Sequence, residues 1–404
     1  MSSSSTLDVR WVDTTQALEG VVEEILLCDQ YAIDTEFHRE RTFFPQLALI
    51  QLGWDNKVAL VDPLAVDVKP LTALFQSDVL AVFHAADQDL EVLEYATGVV
   101  PRQIWDTQIA AGFVGFASAS LLTLCERILL VRVSKGDRLT DWTRRPLTQA
   151  QKDYAASDVA HLLELRTIIS EQLEEAQRSA WVDEECELLR VKPRSQIHGD
   201  RAWWRLKDGR VLRGRDRLVA QELCAWRELR ARDEDKPIRF VLPDLAVVSI
   251  AQAKPTRVDE ISQIRGMDGR FLKGGAGTEI IEAVQRGGDR PNSELALPEP
   301  EDFDRRLRPA LTLVSAWIAQ LANDAKLDPA FIATRSDLVE FLRGDAHARL
   351  ATGWRNDLVG KAIAALVGGE AALAFDRSGV LFLEQRSRRV LGEPIATPEA
   401  NWVV

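Results

Sequence analysis

Tyr31-Ala-Ile-Asp34-Thr-Glu36-Phe37, Leu47-Ala-Leu-Ile-Gln51-Leu-Gly53 and Val58-Ala-Leu-Val-Asp62 are three short apolar runs in succession. Each is rich in strand-favouring residues, and Pro45, Gly53 and Asp55-Asn56 punctuate them, so the segment reads as a meander of strands. A fourth run, Val79-Leu-Ala-Val-Phe83, follows a helical-looking stretch over 68–76, and beyond it the spacing turns helical through Leu90, Leu93 and Ala96. Strands giving way to helices predict an α/β layer domain.

Outward from this core, residues 148–190 form the longest helical pattern. It opens on Thr148-Gln-Ala-Gln151, the spacing of a capping box, and is expected to break once or twice near 177–181. Pro193, His198 and Gly199 mark a linker. Helical spacing at 215–232, 242–253, 258–264 and 278–286 predicts a small all-α domain. After Pro291 and Pro298-Glu-Pro300 the patterns at 307–325, 336–342 and 358–366 predict a third domain, also all-α. The expected divisions are 1–190, 205–290, 305–375 and a tail over 376–404.

The chain has 404 residues, 46% hydrophobic and 28% charged, which is ordinary globular usage and enough for two or three cores. No run approaches the roughly 20 apolar residues of a membrane span, and the N-terminus lacks the basic start and apolar run of a signal peptide, so a cytoplasmic protein is expected. Cys28, Cys125, Cys186 and Cys224 form no CxxC, and the five histidines include no zinc-ligand pair. A net charge of −12 argues against general coating of nucleic acid, yet charge is segregated. Residues 191–240 carry 14 Lys/Arg against 8 Asp/Glu, whereas 171–190 carry 2 against 7. Any nucleic-acid contact must therefore be local.

Three groups of residues carry chemistry. Asp34 and Glu36 sit two apart in a strand and so share a face, where like charges repel unless a cation lies between them; two solvated edge carboxylates are the plain alternative. His84-Ala-Ala-Asp87-Gln-Asp89-Leu follows a strand and opens a helix, where an acid in the first turn is favoured by the helix dipole without any function. Tyr154-Ala-Ala-Ser-Asp158 puts a phenol and a carboxylate one helical turn apart.

In order and context these groups resemble the three motifs of the DEDD superfamily of 3′→5′ exonucleases, in the branch with a tyrosine in its third motif. Arg41-Thr-Phe-Phe-Pro-Gln46, Trp105-Asp106-Thr-Gln108 and Asp141-Trp142-Thr-Arg-Arg-Pro146-Leu are similar to the ribonuclease D family within it, strongly over residues 10–190. Residues 205–290, with Gln221-Glu-Leu-Cys-Ala-Trp226, resemble an HRDC domain, and 305–375 a more divergent copy. The resemblance implies a ribonuclease H-like exonuclease domain of mixed sheet and flanking helices, followed by two small all-α HRDC-type domains.

What the resemblance implies chemically is a metal-dependent 3′→5′ exoribonuclease that trims RNA 3′ ends, tRNA precursors among them. Asp34, Glu36, Asp89 and Asp158 would hold two divalent ions, Mg2+ or Mn2+, as hard cations require oxygen ligands. Asp34 would bridge the ions, Asp89 would act through water, and Tyr154 would position the attacking water, a phenol being a poor base at neutral pH. The family spacing from the histidine selects Asp89 over Asp87. His84 and Phe37 are candidates for substrate contact, Phe37 equally for the core. Trp203, Trp204, Arg205 and Arg210 belong to the densest Arg/Trp cluster, which either tracks RNA or packs a domain seam with its arginines on the acidic run at 171–190. DNA exonuclease or non-catalytic adaptor functions are the alternatives. All four acids and the tyrosine are present, which disfavours the adaptor, and no GxxxxGK[ST] phosphate loop occurs. The sequence identifies no protein partner, and no membrane association is expected.

Overall fold

The computed structural model describes residues 7–132, 140–194, 197–297 and 305–386. The chain divides into two compact units, Met1–Ala111 with Ser118–Glu301, and Gly112–Ala117 with Asp302–Val404.

The first unit begins with β1 (Asp8–Val12), α1 (Thr15–Ile25), β2 (Gln30–His38), β3 (Gln46–Trp54) and β4 (Lys57–Val61). It continues through α2 (Leu71–Phe75), β5 (Leu80–Phe83), α3 (Asp87–Thr97), β6 (Ile104–Asp106), α4 (Thr107–Phe113) and α5 (Leu121–Leu124). The six strands form one mixed sheet in the order β1-β4-β3-β2-β5-β6. The meander β2-β3-β4 is antiparallel, as its short turns require, while β1 on β4, β5 on β2 and β6 on β5 are parallel. β1 and β6 were not foreseen, being short strands whose pairing partners lie far along the chain.

Three helices follow, α6 (Gln149–Ala160), α7 (Leu162–Glu175) and α8 (Ser179–Val191), broken at His161 and at 176–178. The Thr148–Gln151 capping box is formed. α6 lies close on the sheet because β3 carries a glycine beneath it: a Cβ at Gly53 would stand 3.3 Å from the Val159 carbonyl oxygen and from Ala32 Cβ. That approach brings the α6 residues beside Val159 over β2.

The first helical domain comprises α9 (Arg215–Asp233), α10 (Ile238–Val241), α11 (Asp244–Ala253), α12 (Val258–Ile261) and α13 (Ala276–Asp289), preceded by a short 3-10 turn, Gly199–Arg205. α9 and α13 pack almost backbone to backbone, a Cβ at Gly287 falling 2.5 Å from Val219 Cα. The core gathers Leu223, Trp226, Val247 and Ile280. Phe43, from the nuclease loop, packs against this core, and the N–H groups of Phe43 and Phe44 both donate to Asp235 Oδ1 at 3.0 Å. The nuclease and the first helical domain are thus one compact unit rather than beads on a linker.

The second unit holds α14 (Arg308–Ala325), α15 (Pro329–Ile332), α16 (Arg335–Leu342), α17 (Gly353–Arg355) and α18 (Lys361–Val367). Leu311, Val314, Ile318 and Ala322 give α14 its buried stripe. The expectation of an all-α domain to 375 with a separate tail is corrected at its end. Ala371–Phe375 is strand β7, which pairs antiparallel with β8 (Leu381–Gln385) across the expected boundary. Asp376 nucleates the turn, its Oδ1 accepting from Ser378 N at 2.8 Å and Val380 N at 2.9 Å, with Gly379 at φ +85.

Candidate active site

β2 is the strand that carries the first two acids, and alternation puts Asp34 and Glu36 on one face while Ile33 and Thr35 are buried on the other. β5 pairs with β2 only as far as Ala32, so beyond that point the outer edge of β2 lacks a strand partner. Asp89, in the first turn of α3, fills the gap: its Oδ1 accepts from the Thr35 N–H at 3.2 Å and from the Thr35 hydroxyl at 2.5 Å. α6 supplies Tyr154 and Asp158 one turn apart.

Asp34 lies near enough to the other three acids to feel their charges. Burial holds the Asp34 carboxyl well above its ordinary pKa, and the charges of Asp89, Asp158 and Glu36 add to the rise. Asp89 is pushed up to about 7, chiefly by burial, with the Thr35 hydrogen bonds opposing. The Tyr154 phenol is raised by burial first and then by Asp158, Glu36 and Asp34. Such a cluster of like charges is stabilised by a cation. Gln51, fully buried and directly opposite Asp34 in the β2–β3 register, has neither amide atom hydrogen-bonded to protein. An all-oxygen donor set with an orphaned amide beside it fits hard divalent ions that keep part of their water shell. Among the described residues no three acid, histidine or cysteine side chains are grouped closely enough to hold a metal ion as they stand.

The remaining candidates separate. Asp87, the first residue of α3, turns outward onto Lys192 Nζ at 2.7 and 2.8 Å, whereas Asp89 is buried. His84 Nδ1 stands 2.8 Å from Thr107 Oγ1, whose hydroxyl lies 3.0 Å from the Phe83 carbonyl. Phe37 lines the cavity of about 570 Å³ that also exposes Asp34 and Asp89, with the Arg39 guanidinium 5.3 Å from its ring centroid. Trp203 is buried in the first helical core, and the indole N–H groups of Trp203 and Trp204 both donate to the Ala296 carbonyl at 2.9 Å. Among the described residues none of the arginines at 201–217 pairs with the acidic run at 171–190; Arg213 and Arg217 donate to Leu212 O, and Arg215 to Arg290 O.

Asp106 was missed as part of the site. Almost wholly buried, it accepts from the N–H groups of Ala85 at 3.1 Å, Ala86 and Gln108 at 2.8 Å, and Ile109 at 3.3 Å. It thereby holds the turn in which Ala85 takes φ +61 and from which α3 springs. An Asp before a helical pattern is a capping signal, but nothing local reveals that it also caps a turn twenty residues earlier.

A family model described as 3′-5′ exonuclease matches residues 9–174, the span that holds the six-stranded sheet, the two acids of β2, Asp89 of α3 and the Tyr154–Asp158 turn of α6, and this places the chain in the exonuclease class. A second, for the HRDC domain, matches residues 216–284. Ribonuclease D of Nitrobacter hamburgensis is 35% identical over 379 residues, covering 93% of this chain and 99% of that one. Ribonuclease D of Jannaschia sp. is 36% identical, covering 92% and 99%. The crystal structure of Escherichia coli RNase D, described as an exoribonuclease involved in structured RNA processing, superposes with a TM-score of 0.80 at 28% identity over 90% of this chain and 99% of that one. The chain belongs to the ribonuclease D family. It is a 3′→5′ exoribonuclease acting on RNA. No described helix is long and apolar enough to cross a membrane.

Proposed function

We propose that this exoribonuclease hydrolyses the 3′-terminal phosphodiester of structured RNAs, tRNA precursors among them, in the cytoplasm, releasing nucleoside 5′-monophosphates one at a time. Asp34, Glu36, Asp89 and Asp158 are the residues to hold two divalent cations, Mg2+ or Mn2+. The observation that carries this is geometric: Asp34 and Glu36 share one face of β2, Asp89 is tied to Thr35 between them, and the buried Gln51 amide opposite Asp34 has no protein partner. When bound, the ions supply acidification of water and neutralisation of the leaving oxygen.

The protein's own groups then divide the work. Asp34 and Glu36 present their carboxylates from a rigid central strand. Asp89, already committed to Thr35, meets a ligand through its second oxygen or through water. Tyr154 keeps its proton at neutral pH, since burial and its acidic neighbours raise the phenol, so it orients by hydrogen bonding rather than acting as a base. Phe37, on the cavity wall, is placed to pack against the terminal base, and His84 stands where β5 ends. Residues 305–375 are proposed as a second, divergent HRDC-like module, its last strand excepted.

The test is product analysis on a 5′-labelled, 3′-extended tRNA and a matched single-stranded DNA, in magnesium and then in EDTA. An RNA ladder shrinking from the 3′ end only with metal is expected. Asp34→Ala should abolish it with folding kept, and Tyr154→Phe should slow it with metal binding kept. Shortening of DNA alone, or persistence of the ladder in EDTA, would overturn the reading.

A further inference from the structure

We infer that a groove beside Trp204, on the first helical domain, takes a nucleotide of the RNA chain upstream of the reacting 3′ end, its base on the indole and its phosphate on Lys207 and Arg210. The inference rests on the ribonuclease reading and adds where the rest of the substrate lies.

The cavity at the catalytic acids adjoins a larger cleft of about 1030 Å³, the ion-paired Asp87 and Lys192 lining both. This cleft runs between the nuclease loop at 39–45 and the first helical domain, and its far side carries His198 and Arg205. Arg205 ends the 3-10 turn Gly199–Arg205, and its neighbour Trp204 faces a further groove of about 820 Å³. Consecutive residues of one 3-10 turn, Trp204 and Arg205, therefore line the groove and the cleft. The cleft lining mixes signs, Arg39, Arg194, Arg205 and Arg239 facing Glu40, Glu91 and Glu228, whereas Lys207, Arg210 and Arg217 line the groove against Asp208 as its one lining acid. In a chain of net charge −12 the groove is a local patch of positive charge suited to a phosphate.

The groove has the parts a nucleotide needs. Trp204 is 40% exposed, and its indole N–H is anchored on the Ala296 carbonyl, so the ring is held in place before a ligand arrives. The Arg201 guanidinium lies 5.6 Å from the ring centroid. Leu297 and Val211 add apolar walls. Among the described residues the exposed head groups of Lys207 and Arg210 have no hydrogen-bond or ion-pair partner, which leaves both available to an anion. A held aromatic plane beside two uncommitted cations recognises a base and its phosphate without regard to sequence.

Trp204→Ala and Arg210→Glu test this in the full chain, both residues being exposed. KM is measured with magnesium on a long single-stranded RNA and on a dinucleotide too short to reach the groove, and binding of the labelled long RNA is measured by anisotropy in EDTA, where nothing turns over. The ratio of the long-RNA KM to the dinucleotide KM should rise roughly tenfold for Trp204→Ala, within the worth of one base–aromatic stack. Arg210→Glu should lower the slope of log affinity on log salt by about 0.7, one single-strand phosphate contact. Equal losses on both substrates, or no change in long-RNA binding, would overturn the inference. So would a site for free nucleotide, seen as weakened inhibition by nucleoside monophosphate with the long-RNA KM unmoved. Failure of the unmodified protein to cut RNA would count against the ribonuclease reading instead, while the EDTA binding arm would still decide the groove.

Discussion

Asp89 on α3 and Thr35 on β2 are joined by two hydrogen bonds to one carboxylate oxygen, from the Thr35 N–H at 3.2 Å and its hydroxyl at 2.5 Å. The contact locks the helix that carries one acid to the strand that carries two others. It also explains why a carboxylate can be buried there at all, since charge-assisted donors offset part of its desolvation.

Thr35→Val keeps the volume and removes the hydroxyl. The expected loss is about 1–3 kcal/mol of stability in urea unfolding, the worth of a hydrogen bond to a charged group. Activity should fall and the magnesium concentration for half-maximal rate should rise, with Thr35→Ser restoring both. An unchanged magnesium dependence would show that the contact takes no part in placing Asp89.

Asp106 satisfies four backbone N–H groups from two segments, so Asp106→Ala strands all four. The expected cost is about 3–5 kcal/mol, at the upper end for a single substitution. Asp106→Asn keeps one acceptor oxygen and should fall between. Urea unfolding of the three proteins orders them, and equal stability of Asp106→Ala and the parent would refute the assignment.

Asp62 and Arg145 form a two-pronged pair, Nε to Oδ2 at 2.7 Å and Nη2 to Oδ1 at 2.6 Å, while Nη2 also reaches the Ala48 carbonyl at 2.7 Å. Asp62 is buried and Arg145 partly so. Removing the arginine alone leaves a buried, uncompensated carboxylate and should cost about 2–4 kcal/mol. Asp62→Leu combined with Arg145→Met should cost less than Arg145→Met by itself. Simple additivity in that double-mutant cycle would mean that the pair is not coupled.

Glu24 is held down to about 2 by hydrogen bonds from Lys57 first and Arg10 second. Its folded pKa lies below the unfolded value near 4.5, so the folded state sheds the proton more readily. The stabilisation is complete above the unfolded pKa and is lost as pH falls towards 2. Because the side chain is 37% exposed, solvent screening limits the effect to under about 1 kcal/mol. Glu24→Gln should flatten that part of the stability profile, and identical acid profiles would remove the pair from the account.

Legibility followed the range of the interaction. β2, β3, β4 and β5 were readable because their alternation and turn residues lie within a few positions of one another. The α6 cap at Thr148 was readable for the same reason. β6 is three residues long and is fixed by its pairing with β5, and the β7–β8 hairpin was not foreseen, because the expected boundary at 375 fell between its strands and Ala371-Ala-Leu-Ala carries no period-2 signal.

The sequence by itself determined the α/β layer, the helical regions that follow it, and which residue types stand in the three motifs. These are matters of local periodicity and composition. Tertiary structure alone decided that Asp89 turns inward onto Thr35 while Asp87 turns outward onto Lys192, two positions apart on one helix. It alone revealed Asp106 bridging two turns, the orphaned Gln51 amide opposite Asp34, and Trp203 in a core with Trp204 beside a groove. Each of these depends on which distant backbone group lies within hydrogen-bonding reach, and that is set only when strands and helices close on one another.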